Sequence, residues 1–143
     1  MEKPIMEIHA ILQPADFSAH GQKAFELACS LARDHKARML VLHVYHPQSE
    51  HEEVTKTGHH EKYQDHLWNK LREVRPPKPD VNVEYLLVQG NPGAEIIRAA
   101  KDHHCDMIVM GTHGRTGLAK ALMGSVAEHV VRQAPCHVLT LKS

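Results

Sequence analysis

The stretch Asp106-Met-Ile-Val-Met110-Gly111-Thr-His-Gly114-Arg-Thr-Gly117-Leu-Ala-Lys-Ala-Leu-Met-Gly124-Ser125 passes from an apolar run of strand length, through a glycine-rich loop, into a helical pattern. A strand, a loop of this kind and a helix in succession form the repeating unit of a parallel α/β sheet. Gly111 and Gly114 let the backbone turn tightly and approach a ligand with no Cβ in the way. Gly124-Ser125 opens the next helix, where unpaired N–H groups and the positive end of the dipole attract anions. The loop reads as a phosphate cradle, and a nucleotide triphosphate would suit it. A plainer reading also exists: glycines after a strand are ordinary loop residues, and Ser125 with Glu128 makes a capping box for a helix beginning at Val126.

Working outward from that stretch, strands and helices alternate along the whole chain. Residues 6–12 read as a strand ending at Gln13-Pro14, and residues 18–35 as a helix with Ala24, Leu27, Ala28, Leu31 and Ala32 on one face. Ser18 or Asp16 is placed to cap that helix. Residues 38–45 are almost continuously apolar, as expected of a parallel strand covered on both faces and central in its sheet. Residues 46–58 are polar and read as a surface excursion. A helix over residues 59–74 follows, with Tyr63, Leu67 and Leu71 on one face and Pro76, Pro77 and Pro79 as its stop. Residues 81–88 are rich in β-formers; Gly90-Asn91-Pro92 then turns the chain, Asn91 capping a helix that runs to about residue 103. After the fourth strand, residues 106–110, and the glycine loop come a helix over residues 125–133, the stop Ala134-Pro135 and a last strand, Cys136 to Leu141.

Five strands joined by helical crossovers predict an α/β fold: a doubly wound five-stranded parallel sheet with helices on both faces, in one domain spanning residues 1–143. Ligands of such sheets bind outside the carboxyl ends of the strands where the winding reverses. Pro14-Ala-Asp16 and the glycine loop both fall there, so two separate segments converge on one place.

Composition narrows the function classes. At 143 residues and 42% hydrophobic content the chain builds a core without staples. Seventeen basic residues balance 17 acidic ones, which removes any global drive toward nucleic acid or an anionic membrane. No segment approaches the roughly 20 apolar residues that span a bilayer, and residues 1–9 lack a signal-peptide core; a cytoplasmic location is expected. Cys29, Cys105 and Cys136 are isolated, odd in number and in apolar contexts, as buried reduced thiols are. The 14 histidines include the adjacent pairs His59-His60 and His103-His104, but no His-x-x-x-His or Cys-x-x-Cys spacing, so no metal site is expected. Their titration would add positive charge as pH falls below about 6.

With these features laid out, the chain resembles the universal stress protein family over essentially its full length. The family's nucleotide-binding members carry Gly-x-x-Gly, nine residues, then Gly-Ser or Gly-Thr; Gly111-Thr-His-Gly114, residues 115–123 and Gly124-Ser125 reproduce that pattern. Ile11-Leu-Gln-Pro-Ala-Asp16-Phe-Ser, Leu42-His43-Val44, Asp106-Met-Ile-Val-Met-Gly111 and Ala134-Pro-Cys-His-Val-Leu are similar to the family's strand signatures. The resemblance implies a Rossmann-like sheet of order 3-2-1-4-5, of the adenine nucleotide alpha hydrolase type, and ATP as ligand. It implies that Pro14, Asp16 and Val44 border the base and ribose, and Met110 and Gly111 the ribose and first phosphate. Gly114, Arg115, Gly124, Ser125 and Val126 would border the phosphate chain, with the Ser125 hydroxyl available to a Mg2+ ion. It further implies a homodimer through the last strand, Cys136 to Leu141, an edge of that sheet.

The site differs from a P-loop, having no Gly-Lys-Ser/Thr and hence no lysine fixed against the outer phosphates. Arg115 and Lys120 are the cations near the loop, and Asp16 is the acid that can be placed, so no catalytic residue is assigned and hydrolysis is expected to be slow or absent. The expectation is an ATP-binding regulatory protein in the stress response, its nucleotide coupled to dimer state or partner contacts. The alternatives are a slow ATPase and a dimeric interaction module of the same fold without nucleotide. A nucleotidyl transferase ranks below these, because Thr112-His113-Gly114-Arg115 lacks the second histidine of the His-x-Gly-His signature.

Overall fold

The computed structural model describes residues 6–46, 60–112 and 123–142. Among these, five strands, β1 (Ala10–Pro14), β2 (Arg38–Tyr45), β3 (Val83–Gln89), β4 (Met107–Gly111) and β5 (His137–Leu141), alternate with the helices α1 (Ala19–His35), α2 (His60–Glu73), α3 (Pro92–Asp102) and α4 (Ser125–Gln133). The strands form one sheet in the order β3-β2-β1-β4-β5, every pair parallel. This is the doubly wound sheet that the alternation predicts, in the order that the resemblance implies. The chain winds from β1 out to β3, then returns to pair β4 on the other side of β1. The carboxyl ends of β1 and β4 therefore flank the switch point.

Strand alternation divides the interior into two cores. Ile11, Met39, Val41 and Val109 face Phe25 and Ala28 of α1 and Leu71 of α2. Leu12, Leu40, Leu42 and Ile108 face Ile96 of α3 and Val130 of α4. Because β1 and β2 are covered on both sides, their apolar runs are nearly continuous rather than alternating, as the sequence of residues 38–45 indicates.

The ends of the elements are set by specific bonds. β1 starts later than the pattern of residues 6–12 predicts, because the Asp106 carboxylate accepts from the N–H groups of both His9 and Ala10, at 2.7 and 3.0 Å. Ser18, not Asp16, caps α1: its Oγ accepts from Gly21 N–H at 2.9 Å. Asn91 caps α3 by accepting from Ala94 N–H, with Pro92 in the first turn. At α4 the capping-box reading of Ser125 fails. The N-cap is Gly124, at φ −63° and ψ 158°, and Ser125 is already helical. Glu128 meanwhile pairs with Arg132 one turn on, at 2.9 Å, so its carboxylate does not reach back to the cap. Beyond His46, the polar segment of residues 46–58 lies outside the described residues. Among those described, no helix is long and apolar enough to cross a membrane.

All three cysteines are free, Cys29 and Cys105 buried and Cys136 partly so. Burial pushes the Cys29 and Cys105 thiols up from 9.0 to about 11, and raises Cys136 as well. In the unfolded chain these thiols ionise near the ordinary value, while the folded chain holds them neutral. The stability they contribute is complete below pH 9 and is lost as pH rises through 11. We expect the unfolding free energy to fall over that interval by about 3 kcal/mol for each of the two buried thiols. Urea titrations of wild type and a Cys29→Ala/Cys105→Ala double variant check this, the variant showing the flatter alkaline limb.

Candidate functional site

At the switch point the sheet opens into a cleft of about 320 Å3, at the lower end of the size range of small-molecule sites, roughly 300–1,000 Å3. Its walls are strand ends and the two segments that follow β1 and β4. Pro14, Ala15 and Asp16 come from β1 and its turn, Leu42, His43 and Val44 from β2, Met110, Gly111 and Thr112 from β4, and Gly124 to Ala127 from the start of α4. Pro92 and Ile96 of α3 close it from the side.

The turn after β1 is a rigid piece of hydrogen bonding. Ser18 donates from its backbone N–H (3.0 Å) and its hydroxyl (2.6 Å) to Asp16 Oδ1. Ala15 N–H donates to the Leu42 carbonyl at 2.7 Å, and the Ala15 carbonyl accepts from His43 Nδ1 at 2.7 Å. A carbonyl can only accept, so that bond assigns the His43 proton to Nδ1. The imidazole also lies 4.4 Å from the Phe17 ring. Asp16 is thus held from two directions, by the cap of α1 and by β2.

Gly21 is required by this arrangement. A Cβ at that position would stand 2.6 Å from Asp16 Oδ1 and 3.2 Å from Ser18 Oγ. Both oxygens are already fixed by the bonds just described, so neither can move aside freely. Gly21→Ala is expected to cost about 1 kcal/mol through the weakened cap and to turn the Asp16 carboxylate out of its position in the cleft. A two-dimensional NMR spectrum in which the Asp16 and Ser18 amides do not shift would contradict this.

The glycine loop is anchored at its two ends. Thr112 N–H donates to the Leu141 carbonyl at 3.0 Å, and Gly124 N–H donates to the Thr112 carbonyl at 2.6 Å. Residues 112 and 124 are therefore clasped together, and α4 starts directly beside the end of β4. The first intrahelical bond of α4 runs from Glu128 N–H to the Gly124 carbonyl at 3.0 Å. The N–H groups of Ser125, Val126 and Ala127 have no intrahelical acceptor, and these residues line the cleft. Ser125 is exposed there. One wall is therefore built to receive an anion, with donors and a helix dipole but no described lysine or arginine.

The structure brings Pro14, Asp16, Val44, Met110, Gly111, Gly124, Ser125 and Val126 to this one cleft. Gly114, Arg115 and Lys120 lie outside the described residues. Sequence reasoning missed His43 and Thr112 as walls. His43 enters the sequence reading only within the Leu42-His43-Val44 strand signature; in the structure it is buried against the Asp16 turn. The signal that could have found it is its place at the carboxyl end of β2, one residue before Val44.

A parallel sheet of this order, with its cleft at the switch point and a helix N-terminus in the wall, defines a Rossmann-like α/β protein. The comparisons with known proteins make that class specific. The model of the universal stress protein family matches residues 7–142. A universal stress protein of Thermus aquaticus is 33% identical over 138 residues, covering 92% of this chain and 97% of that one. The solved structure of MJ0577, a universal stress protein of Methanocaldococcus jannaschii, superposes with a TM-score of 0.84 at 28% identity, over 96% of this chain and 98% of that one. Two more distant members share the fold. One was solved in complex with cAMP (20% identical, TM-score 0.66, 96% and 98% covered), and one from Archaeoglobus fulgidus in complex with dAMP (22%, 0.63, 94% and 98%). The chain belongs to the universal stress protein family.

Proposed function

We propose that this chain binds an adenine nucleotide in the cleft, ATP foremost, and that the bound nucleotide governs its dimer state or its contacts with other proteins. One observation carries the reading: a single cleft at the switch point has a fixed carboxylate, Asp16, on one wall and the open N-terminus of α4 on another. A carboxylate accepts from ribose hydroxyls or an adenine amino group; free helical N–H groups take phosphates. Pro14, Val44 and Met110 supply apolar contact for the base and ribose, and Gly111 and Gly124 leave room for the phosphates. Gly114 and Arg115 extend the phosphate site by the motif they complete, and the Ser125 hydroxyl is available to Mg2+. The adenine monophosphates held by two family members support the class of ligand.

The loop sequence has no Gly-Lys-Ser/Thr and so no lysine fixed against the outer phosphates, which supports hydrolysis that is slow at most. Among the described residues the outer side of β5 has no neighbouring strand, and Val138, Leu139 and Leu141 on it are only half-buried. Antiparallel pairing of two such edges, from Cys136 to Leu141, gives a two-fold dimer. Three free thiols suit a reducing compartment, the cytoplasm, and residues 1–143 act as one domain. Calorimetric titration with ATP, ADP and AMP tests the ligand, and absence of saturable binding for all three at high micromolar concentration overturns the reading. Light scattering at tens of micromolar tests the dimer; a monomer there refutes it.

A further inference from the structure

The turn that holds Asp16 has a second cavity behind it. On the α1 and α2 side of the sheet lies a space of about 250 Å3, bounded by Gln13, Phe17, Phe25, Lys70, Glu73 and Val74. Asp16 and Gly21 line both spaces, so the turn is a partition between the two.

Gln13 is the unusual member. It is a polar residue inside a central strand, only 1% exposed. Its Nε2 donates to the Pro14 carbonyl at 2.7 Å, which fixes the orientation of the amide, because the flipped form would set two oxygens against each other. Its Oε1 is buried and has no partner among the described residues. Gln13 therefore places at the wall of this cavity an acceptor that no described residue satisfies, and buried acceptors of this kind mark a missing donor.

The other walls ask for the same kind of group. Asp16 and Glu73 add carboxylates, and Phe17 adds an aromatic face. Phe17 sits at φ 63°, a left-handed backbone that a bulky side chain rarely takes. Its ring lies tilted against His43, at 38°, and carries the Lys70 ammonium 4.9 Å from its centroid. A lysine side chain ends in a butylammonium, so the cavity already holds one alkylammonium ion, tethered through α2, on its π face.

We propose that this second cavity is a binding site for a small organic ammonium ion, a primary alkylamine, whose N–H groups satisfy Gln13 Oε1 and Asp16 and for which the Lys70 side chain is the built-in competitor. The apolar stretch of the ligand lies along Phe25 and Val74. This goes beyond the nucleotide reading and does not depend on it.

The test is calorimetric titration of n-butylamine into the nucleotide-free full chain at constant ionic strength. Removing the internal competitor with Lys70→Ala is expected to tighten binding by about tenfold. Gln13→Met, which keeps the length and deletes both polar atoms, is expected to weaken binding in the Lys70→Ala background by about tenfold. Melting curves give a second readout: butylamine raises the Tm of Lys70→Ala and leaves that of the Gln13→Met/Lys70→Ala double variant unchanged. No saturable binding to Lys70→Ala at millimolar amine overturns the proposal, and so does equal binding with methionine at residue 13. Binding of norvaline, the same chain with a carboxylate added, to wild type that is lost in Lys70→Ala overturns it too, since Lys70 would then be a carboxylate partner and not a competitor.

Discussion

Gly124→Val is expected to weaken ATP binding by about a hundredfold while the chain keeps its fold. The size of the effect follows from what the residue adjoins. Gly124 caps α4 and lines the cleft beside the free N–H groups of Ser125 and Val126. A phosphate must come within hydrogen-bond reach of those groups, and the branched methyls of valine would stand in its path. Charge-assisted bonds of this kind contribute about 1.5–3 kcal/mol each; losing two corresponds to roughly a hundredfold or more in affinity. The fold is spared because φ −63° and ψ 158° is an extended conformation open to any residue, and valine retains the N–H that donates to the Thr112 carbonyl. Calorimetric dissociation constants for ATP, with thermal melts of both proteins, decide it. Equal affinity in the two would place the phosphates away from α4 and remove the basis of the proposed site.

Most of this architecture is legible in the chain because burial on two faces leaves a strong mark. The runs Arg38–Tyr45 and Met107–Gly111 can be read only as covered strands once proline and glycine punctuation limits their length. The convergence of Asp16 with the glycine loop follows from topology alone, since both segments leave strands at their carboxyl ends. What escapes the sequence is decided by single bonds. Ser125 at an N-cap and Ser125 at the first helical position have the same spacing to Glu128; the difference is whether residue 124 or 125 keeps the extended backbone. Here Glu128 has Arg132 one turn on, and a glycine before Ser125 takes the cap. His43 and Gln13 escape for a related reason. Alternation says which face of the sheet a strand residue takes, but not whether it meets an apolar neighbour or the floor of a cavity.

Phe25→Ala is expected to give the largest loss of stability among single substitutions in the core of α1 and α2, about 3 kcal/mol, or roughly 10 °C in Tm for a chain of this length. The helix α1 packs on the sheet mainly through small residues, Ala24, Ala28, Cys29 and Ala32, and Phe25 is among its largest fully buried side chains. The helical neighbours Gly21, Ala28 and Cys29 of Phe25 are too short to swing into the hole. Helix and sheet can close it only by moving together, which the dense packing of Ile11, Met39 and Val109 opposes. The estimate sits at the low end of the usual range for phenylalanine because the new void joins the cavity behind Gln13, and water entering from there relieves part of the lost contact. ATP affinity of the folded variant should change little, since Phe25 lies on the α1 and α2 face and is not part of the cleft proposed to hold nucleotide. Urea unfolding with an unchanged m-value measures the loss. A cost below about 1 kcal/mol would mean that α1 settles onto the sheet after truncation. Because α1 is capped by Ser18 beside Asp16, that movement would carry the Asp16 turn with it and appear at once as weaker nucleotide binding.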